Sequence, residues 1–175
     1  MAGLDTQRLK LQPLGAAHLE ALHSLSVDPD VRRYLFKDRV IPLSQVEEML
    51  VASDALFAEI GTGFYAVYLN LPEHPNDQDF IGFCGQRHFE GGSEIELLLG
   101  MNPDIWGRGF GAEAARAVLA HGFACGLQRV IAAADTPNQR SIKVLQKLGM
   151  SFLERRQWHG LDTMFYEISV EDFQA

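Results

Sequence analysis

The chain has 175 residues, of which 47% are apolar and 22% are charged, and its formal net charge at pH 7 is −8. This composition is typical of a soluble globular protein, and the length suits a single domain over residues 1–175. The acidic balance disfavours a basic nucleic-acid-binding face, and the apolar runs are too short to span a membrane. We therefore expect a cytoplasmic protein with no nucleic-acid and no membrane partner.

The first third of the chain predicts one strand followed by two helices. Thr6 to Leu11 alternates polar and apolar residues, which is typical of a strand, and Ala16 to Val27 has apolar residues at helical spacing. A second helical pattern covers Ser44 to Glu59. In it, Ser44 stands three residues before Glu47, which predicts a capping box at the start of the helix.

Three strands are predicted next, and they pair in an antiparallel way. Phe64 to Leu69 and Phe80 to His88 are rich in aromatic and branched residues and flank a polar loop, Pro72 to Asp79. Two such strands around a polar loop indicate a β-hairpin. A third strand, Ile95 to Met101, follows a pair of glycines.

Helices and strands alternate in the last third of the chain. Ala112 to Ala124 predicts a helix, and Val130 to Ala134 predicts a short strand buried on both faces. Asn138 to Gly149 is a further helical segment, and Ser151 to Gln157 with Thr163 to Ile168 predicts a closing hairpin. The expected fold class is therefore α+β, with a mixed, mostly antiparallel central sheet flanked by helices.

The clearest functional signal lies in the stretch from Met101 to Ala115, where a strand leads through a glycine-rich turn into an alanine-rich helix. Gly107, Gly109 and Gly111 leave the backbone accessible to a ligand. The first N–H groups of the helix lack partners and carry the positive end of its dipole. The amides of residues 108–112 are therefore expected to converge on an anion, a pyrophosphate.

Two other phosphate-binding motifs fit this turn less well. A Walker loop is excluded, because no Lys-Ser/Thr pair closes the turn. Gly107 to Ala112 matches the dinucleotide fingerprint G-x-G-x-x-G/A, but Asn102 to Trp106 separates it from the strand and only about 60 residues follow. A nicotinamide-dependent enzyme is therefore a disfavoured alternative.

The sequence resembles the GCN5-related N-acetyltransferases, the GNAT superfamily, and within it the ribosomal-protein N-terminal acetyltransferases. The family signature R/Q-x-x-G-x-G/A falls on residues 106–111, where Trp106 departs from the usual first residue. The resemblance implies an enzyme that transfers the acetyl group of acetyl-CoA to a primary amine, in a protein N-terminus or a small molecule. Further matching segments are Leu9 to Leu11, Ile81 to Gly85, Asn138 to Ser141, Lys147 to Met150 and Phe165 to Ile168.

The same resemblance implies where acetyl-CoA binds. In the family the strand before the turn splays from its neighbour and exposes its backbone to the pantetheine arm, and Gly100 would ease that splay. Asn138 matches a side chain beside the pantetheine, although Asn is also a preferred helix N-cap. The expected acetyl-CoA contacts are Leu99, Met101, Arg108, Gly109, Phe110, Gly111, Ala112 and Asn138, and no metal is expected.

The chemistry requires a neutral amine, so a base must take a proton from the acceptor. Glu94 and Glu96 alternate with apolar residues, which predicts both carboxylates on one strand face. Glu96 matches a Glu often found in this branch and is the candidate general base or amine anchor. Ser141 lies near the expected thiol. Many relatives have a tyrosine acid where this chain has Leu145, which leaves Ser141, water or direct thiolate release.

The missing tyrosine keeps a second hypothesis open, a catalytically silent acyl-CoA-binding or interaction module with the same fold. Arg32, Arg33 and Tyr34 fall in the region where the family forms its acceptor pocket. The sequence leaves the acceptor amine open, and it leaves open whether the protein is a monomer or a homodimer.

Overall fold

The structure is a computed structural model that describes residues 2–70 and 79–174. One eight-stranded sheet forms its centre, with the strand order β1-β2-β3-β4-β5-β6-β8-β7. The strands are β1 Leu4–Asp5, β2 Leu9–Pro13, β3 Phe64–Leu69, β4 Phe80–His88, β5 Ile95–Met101, β6 Arg129–Asp135, β7 Ser151–Trp158 and β8 Leu161–Ser169.

Helices cover both faces of the sheet. In the part of the chain that the structure describes, no helix has the length and apolar character needed to cross a membrane. The α-helices are α1 Leu19–Val27, α2 Pro29–Leu35, α3 Leu43–Ile60, α4 Phe110–Ala124 and α5 Gln139–Lys147. Short 3₁₀ turns lie at Ala16–His18, Phe89–Gly91 and Pro103–Ile105.

The sheet is antiparallel except between β5 and β6. These two strands run parallel and are bridged at one position, Glu96 opposite Ile131. Beyond that bridge the remaining residues of β5 lose β6 as a partner, so the two strands part. The mixed, mostly antiparallel α+β sheet predicted from the sequence is confirmed.

Side-chain alternation along β5 divides the core into two layers. Leu97 and Met101 belong to the cluster that packs against α4 and α5, together with residues such as Phe110 and Leu145. Leu98 instead packs in the cluster formed with α1, α2 and α3. Because successive side chains of a strand point to opposite faces, Glu96 and Gly100 lie on the same face as Leu98.

Two predicted boundaries are wrong at helix starts. Helix α3 begins at Leu43 with Pro42 as its N-cap, and no side chain caps it, so the predicted capping box of Ser44 and Glu47 does not form. Proline already holds the extended backbone that an N-cap needs, which moves Ser44 inside the helix. Helix α4 begins at Phe110, two residues earlier than predicted, because Gly109 adopts a left-handed conformation and ends the turn.

One further helix was not predicted, and one predicted loop lies mostly outside the described residues. Helix α2 has no counterpart among the predicted helices, and it is capped by the Asp28 carboxylate, which accepts hydrogen bonds from the amides of Asp30 and Val31. Most of the predicted hairpin loop, Pro72 to Asp79, lies outside the described residues, which resume at Asp79. The strands on either side pair as predicted.

Truncation of Leu119 tests the packing of α4 on the sheet. This side chain is fully buried in the cluster shared with α5. Leu119→Ala should lower the free energy of unfolding by about 2–5 kcal/mol, because it removes apolar contacts and leaves a cavity. Val51→Ala is the control in α3, where the side chain is 69% exposed, and it should change stability by less than about 0.5 kcal/mol. Urea unfolding followed by circular dichroism measures both, and equal losses would contradict this packing.

Candidate active site

A cavity of about 650 Å³ lies where β5 and β6 part. Its lining includes Phe110 and Leu145 from the α4 and α5 layer, and Tyr34 and Glu96 from the opposite layer. The cavity therefore connects the two faces of the sheet through the gap between the strands. A ligand on one face can reach a group on the other face through this opening.

The edge of β5 offers backbone polar groups to this gap. The Asn102 amide donates to the Ile81 carbonyl at 2.8 Å, which fixes the alternation of the β4–β5 ladder. Because alternate residues of such a ladder turn their backbone groups away from the partner strand, those of Leu99 and Met101 face the gap. The Met101 carbonyl there accepts a hydrogen bond from the Trp106 indole at 2.9 Å. Both residues line the cavity.

The glycine turn ends in a group of amides without helical partners. Gly107 and Gly109 have φ values of 79° and 84°, which glycine adopts without steric cost. The first helical hydrogen bond of α4 runs from the Glu113 amide to the Gly109 carbonyl at 3.1 Å. The amides of residues 110–112 precede that bond, so they have no partner within the helix. Residues 109–112 line the cavity, whereas the Arg108 side chain is exposed and lies outside the lining.

The N-terminal segment holds this turn through a contact that sequence reasoning missed. The Glu113 carboxylate accepts hydrogen bonds from the Thr6 hydroxyl at 2.6 Å, the Arg8 amide at 2.9 Å and the Arg8 Nε at 2.7 Å. Arg8 Nη1 donates to the Arg108 carbonyl at 3.1 Å, and the guanidinium lies 4.6 Å from the Phe110 ring centroid. Arg8 thus fixes the turn and the start of α4 together.

The pKa of Glu113 reflects these contacts. Burial by itself would raise the pKa, but hydrogen bonds from Thr6 and Arg8 and the charge of Arg8 hold it below the ordinary value of 4.5. The carboxylate is therefore more stable in the folded protein than in the unfolded chain. It contributes to stability above about pH 4.5, and that contribution is lost as the pH falls through the lower folded pKa.

Trp106 also has a packing role. Its indole bonds to the Met101 carbonyl, and the Arg140 guanidinium lies 3.7 Å from its ring centroid. Arg140 belongs to α5, so this stack joins the turn to the helix on the other side of the cavity. The residue that departs from the family signature therefore braces the turn between β5 and α5.

At the N-terminus of α5 the structure brings Asn138 and Ser141 together. The Asn138 side-chain oxygen accepts a hydrogen bond from the Ser141 amide at 3.2 Å, which makes Asn138 the N-cap. Both residues line the cavity, and so does the buried Leu145 one turn later. A capping oxygen leaves the amide nitrogen of Asn138 as a separate donor.

Glu96 is the buried carboxylate of the site. Its side chain is only 4% exposed, and Arg87 Nε donates to it at 2.6 Å. Burial raises the pKa of Glu96 above its ordinary value, and the neighbouring Arg87 offsets only part of that rise. The carboxylate therefore binds a proton more readily than an exposed glutamate does.

Glu94 does not share these surroundings, although its partner Arg129 lies on the same face of the sheet as Ile131 and Glu96. Strand β5 begins at Ile95, and Glu94 precedes it. Its carboxylate pairs with Arg129, and both residues line a separate small pocket. The two carboxylates therefore share a face, as predicted, but only Glu96 lines the cavity.

The predicted acceptor residues also separate. Tyr34 lines the cavity, whereas Arg33 stacks on the Tyr34 ring and Arg32 pairs with Asp38 at 3.1 Å, and neither arginine is part of the lining. Within residues 2–70 and 79–174, no group of three or more His, Cys, Asp or Glu side chains could hold a metal ion.

Comparison with known proteins decides the family. A family model described as an acetyltransferase (GNAT) domain matches residues 8–151. The chain belongs to the GNAT family. The matched range includes the gap between β5 and β6, the glycine turn and α5.

Individual GNAT relatives match over most of their length. An uncharacterized N-acetyltransferase, p20, of Bacillus licheniformis is 28% identical over 152 residues, which is 85% of this chain and 82% of the relative. An acetyltransferase structure from Agrobacterium tumefaciens has a TM-score of 0.80 at 22% identity, over 96% of this chain and 94% of its own. RimL, a ribosomal L7/L12 alpha-N-protein acetyltransferase in complex with coenzyme A, has a TM-score of 0.79 at 14% identity, over 98% and 99%. These two structures share the fold.

Replacing Glu113 tests the contact that holds the turn. Glu113→Gln should lower the free energy of unfolding at pH 7 by about 1–3 kcal/mol, because charged hydrogen bonds from Arg8 and Thr6 are lost. The loss should shrink as the pH falls below about 4.5, where Glu113 of the unfolded chain takes up a proton, and it should disappear below the lower folded pKa. Urea unfolding across pH 7 to 3 measures this. Glu48→Gln, at an exposed position of α3, should leave the pH dependence as it is in the wild type.

Proposed function

We propose that this GNAT protein transfers the acetyl group of acetyl-CoA to a primary amine. The observation that carries the proposal is the cavity itself, which joins the unpartnered amides of the glycine turn to the buried Glu96 carboxylate through the gap between β5 and β6. A site with an anion cradle at one end and a buried carboxylate at the other suits a phosphate-bearing acyl donor and an amine acceptor.

The residues of the cavity fit acetyl-CoA. The amides of residues 109–112 suit the pyrophosphate, because they stand at a helix N-terminus with no side chain on Gly109 or Gly111. The backbone of Leu99 and Met101 suits the amide groups of the pantetheine, and Asn138 has an amide nitrogen for the same arm. Arg108 would contribute its backbone amide only, since its side chain is exposed.

Glu96 and Ser141 are the proposed catalytic residues. Acetyl-CoA supplies the thioester carbonyl that accepts the amine. Glu96, with its raised pKa, takes one proton from the acceptor ammonium, and Arg87 fixes the carboxylate at 2.6 Å. As the N–C bond forms, the C–S bond breaks, the sulfur leaves with the electron pair as a thiolate, and the second proton of the amine nitrogen passes to that thiolate, which gives the amide and free CoA. The Ser141 hydroxyl at the start of α5 is proposed to donate a hydrogen bond to that sulfur.

A second candidate function is an acyl-CoA-binding module without catalysis. Its support is Leu145, a buried apolar side chain that lines the cavity where many relatives have a tyrosine acid. The two functions differ in one measurement, the release of thiol from acetyl-CoA in a panel of primary amines that includes peptides with free N-termini. Amine-dependent release supports the transferase. Acetyl-CoA binding without release in any amine would favour the silent module.

Gly111 tests the phosphate end. Gly111→Asp should weaken acetyl-CoA binding at least about 100-fold, because a carboxylate would stand beside the amides proposed to hold the pyrophosphate. Gly111→Ala is the matched control. Its Cβ would lie 3.4 Å from Leu99 Cδ1, an ordinary contact, so binding should stay within a few-fold of wild type. Isothermal titration calorimetry measures both, and equal affinities for the two variants would contradict the placement.

Glu96 tests the acceptor end. Glu96→Gln should lower kcat by about 100- to 10,000-fold at pH 7 while acetyl-CoA affinity stays nearly unchanged, since the carboxylate faces away from the glycine turn. The wild-type rate should fall below a pKa that lies above the ordinary glutamate value, and the variant should instead recover towards the pKa of the free amine. Thiol release against pH measures this.

Glu94→Gln is the control for that variant, because Glu94 is a nearby carboxylate outside the cavity. It should keep the wild-type rate and pH profile. If Glu96→Gln also retained them, Glu96 would have no part in proton transfer.

A further inference from the structure

Lys37 is a cation in the acceptor half of the cavity, which is the half on the α2 side that contains Glu96 and Tyr34, and it forms no ion pair with a described carboxylate. Lys37 follows α2 and lines the cavity, with its ammonium 5.0 Å from the Trp158 ring centroid. The carboxylates around it accept hydrogen bonds from other groups: Glu96 from Arg87, Glu90 from Trp158 and His159, and Asp135 from Thr163. The charges of Glu90 and Asp135 also act on the Lys37 ammonium, from beyond ion-pair distance. Among the described residues, no carboxylate lies within ion-pair distance of the Lys37 ammonium.

The backbone holds Lys37 in this position at a conformational cost. Lys37 and Asp38 have φ values of 54° and 58°, in the left-handed region that residues other than glycine rarely adopt. The turn is kept by Arg32, whose Nε donates to the Asp38 carboxylate at 3.1 Å and whose carbonyl accepts from the Asp38 amide at 2.9 Å. Strain that the surrounding structure maintains is concentrated at functional sites.

Lys37 is partly removed from solvent and has charges of both signs around it. Burial lowers the pKa of Lys37 and the neighbouring Arg39 lowers it further, whereas the charges of Asp135 and Glu90 raise it in part. A cation that has lost part of its hydration gains more from a counter-ion than an exposed one does. Arg39 also lines the cavity and adds a second positive charge. Asp30, at the start of α2, is a further carboxylate of the same half, and it is exposed to solvent.

We propose that the acceptor is an amino-carboxylate, and that Lys37 binds its carboxylate while Glu96 receives the proton of its amine. This inference rests on the proposed function and specifies its acceptor. Lys37 and Glu96 line the same half of one cavity and carry opposite charges, which matches the two charges of an amino acid. A polyamine would instead bring a second cation towards Lys37, which opposes its binding.

The test compares each of the twenty amino acids with its own carboxamide, which keeps the amine and removes the negative charge. Thiol release is followed for the wild type, Lys37→Met and Lys37→Asn, with Arg33→Met as the matched control. Asn tolerates the left-handed backbone, so Lys37→Asn keeps the turn if Lys37→Met unfolds it. Arg33→Met removes the same charge from within α2, at a position outside the cavity lining.

For its best substrate, the wild type should have a kcat/KM at least about tenfold higher with the amino acid than with the corresponding carboxamide, as expected for one charged hydrogen bond. In both Lys37 variants the ratio of kcat/KM for the amino acid to kcat/KM for its carboxamide should fall close to one, mainly through a higher KM for the amino acid. Their acetyl-CoA affinity should be unchanged. Arg33→Met should keep the wild-type ratio. Equal use of carboxamides or of spermidine by the wild type would overturn the inference while the acetyltransferase function stands. A preference that survives in both Lys37 variants would also overturn it.

If no amine is acetylated, binding can be measured instead, as the change in melting temperature of the coenzyme A-bound protein when an amino acid or its carboxamide is added. A shift produced by an amino acid but not by its carboxamide, and lost in Lys37→Asn, would support the anion subsite although acetyl transfer had failed. The absence of any such shift would overturn the subsite, whatever the response to acetyl-CoA.

Discussion

The site depends on the parting of β5 and β6. A sheet pairs its backbone N–H and C=O groups between neighbours, and a strand that loses its neighbour must find other partners for them. Here the two strands share one bridge, at Glu96 and Ile131, and then separate. The same separation exposes a strand edge, opens a passage between the two layers and leaves the Glu96 side chain at the mouth of that passage. The parting of β5 and β6 therefore leaves an unpaired strand edge that lines the cavity.

The layers on either side of this opening have different characters. On the α4 and α5 side the contributors are backbone amides, an Asn cap and apolar side chains, which suits a long ligand with phosphates at one end. On the α2 side the contributors are ionisable side chains, and their charges are mostly compensated within the protein. Ligand binding through backbone groups is retained when side chains are substituted, whereas ligand binding through a charged side chain can be lost with a single substitution. Differences in acceptor preference are therefore expected to arise in the α2 layer.

Much of the architecture could be predicted from the sequence, because strand alternation, helical spacing and glycines are local signals. The glycine turn and the start of α5 at Asn138 were readable for the same reason. Helix α2 was not, since its seven residues are too few to show a period. Lys37 was not either, because a left-handed lysine has no sequence signature. Alternation placed Glu94 and Glu96 on one face, but it could not show that only Glu96 lines the cavity, because that depends on where β5 and β6 part.

The contact of Arg8 with Glu113 joins residues that are 105 positions apart. No local pattern encodes such a pair, because it forms only when the N-terminal strands lie beside α4. The final shape of the glycine turn is therefore coupled to the docking of those strands. Any ligand that selects the finished turn must stabilise that docking by the same free energy. Slower hydrogen exchange at the amides of β1 and β2 would then be a remote signature of ligand at the turn, although those strands lie outside the lining of the cavity.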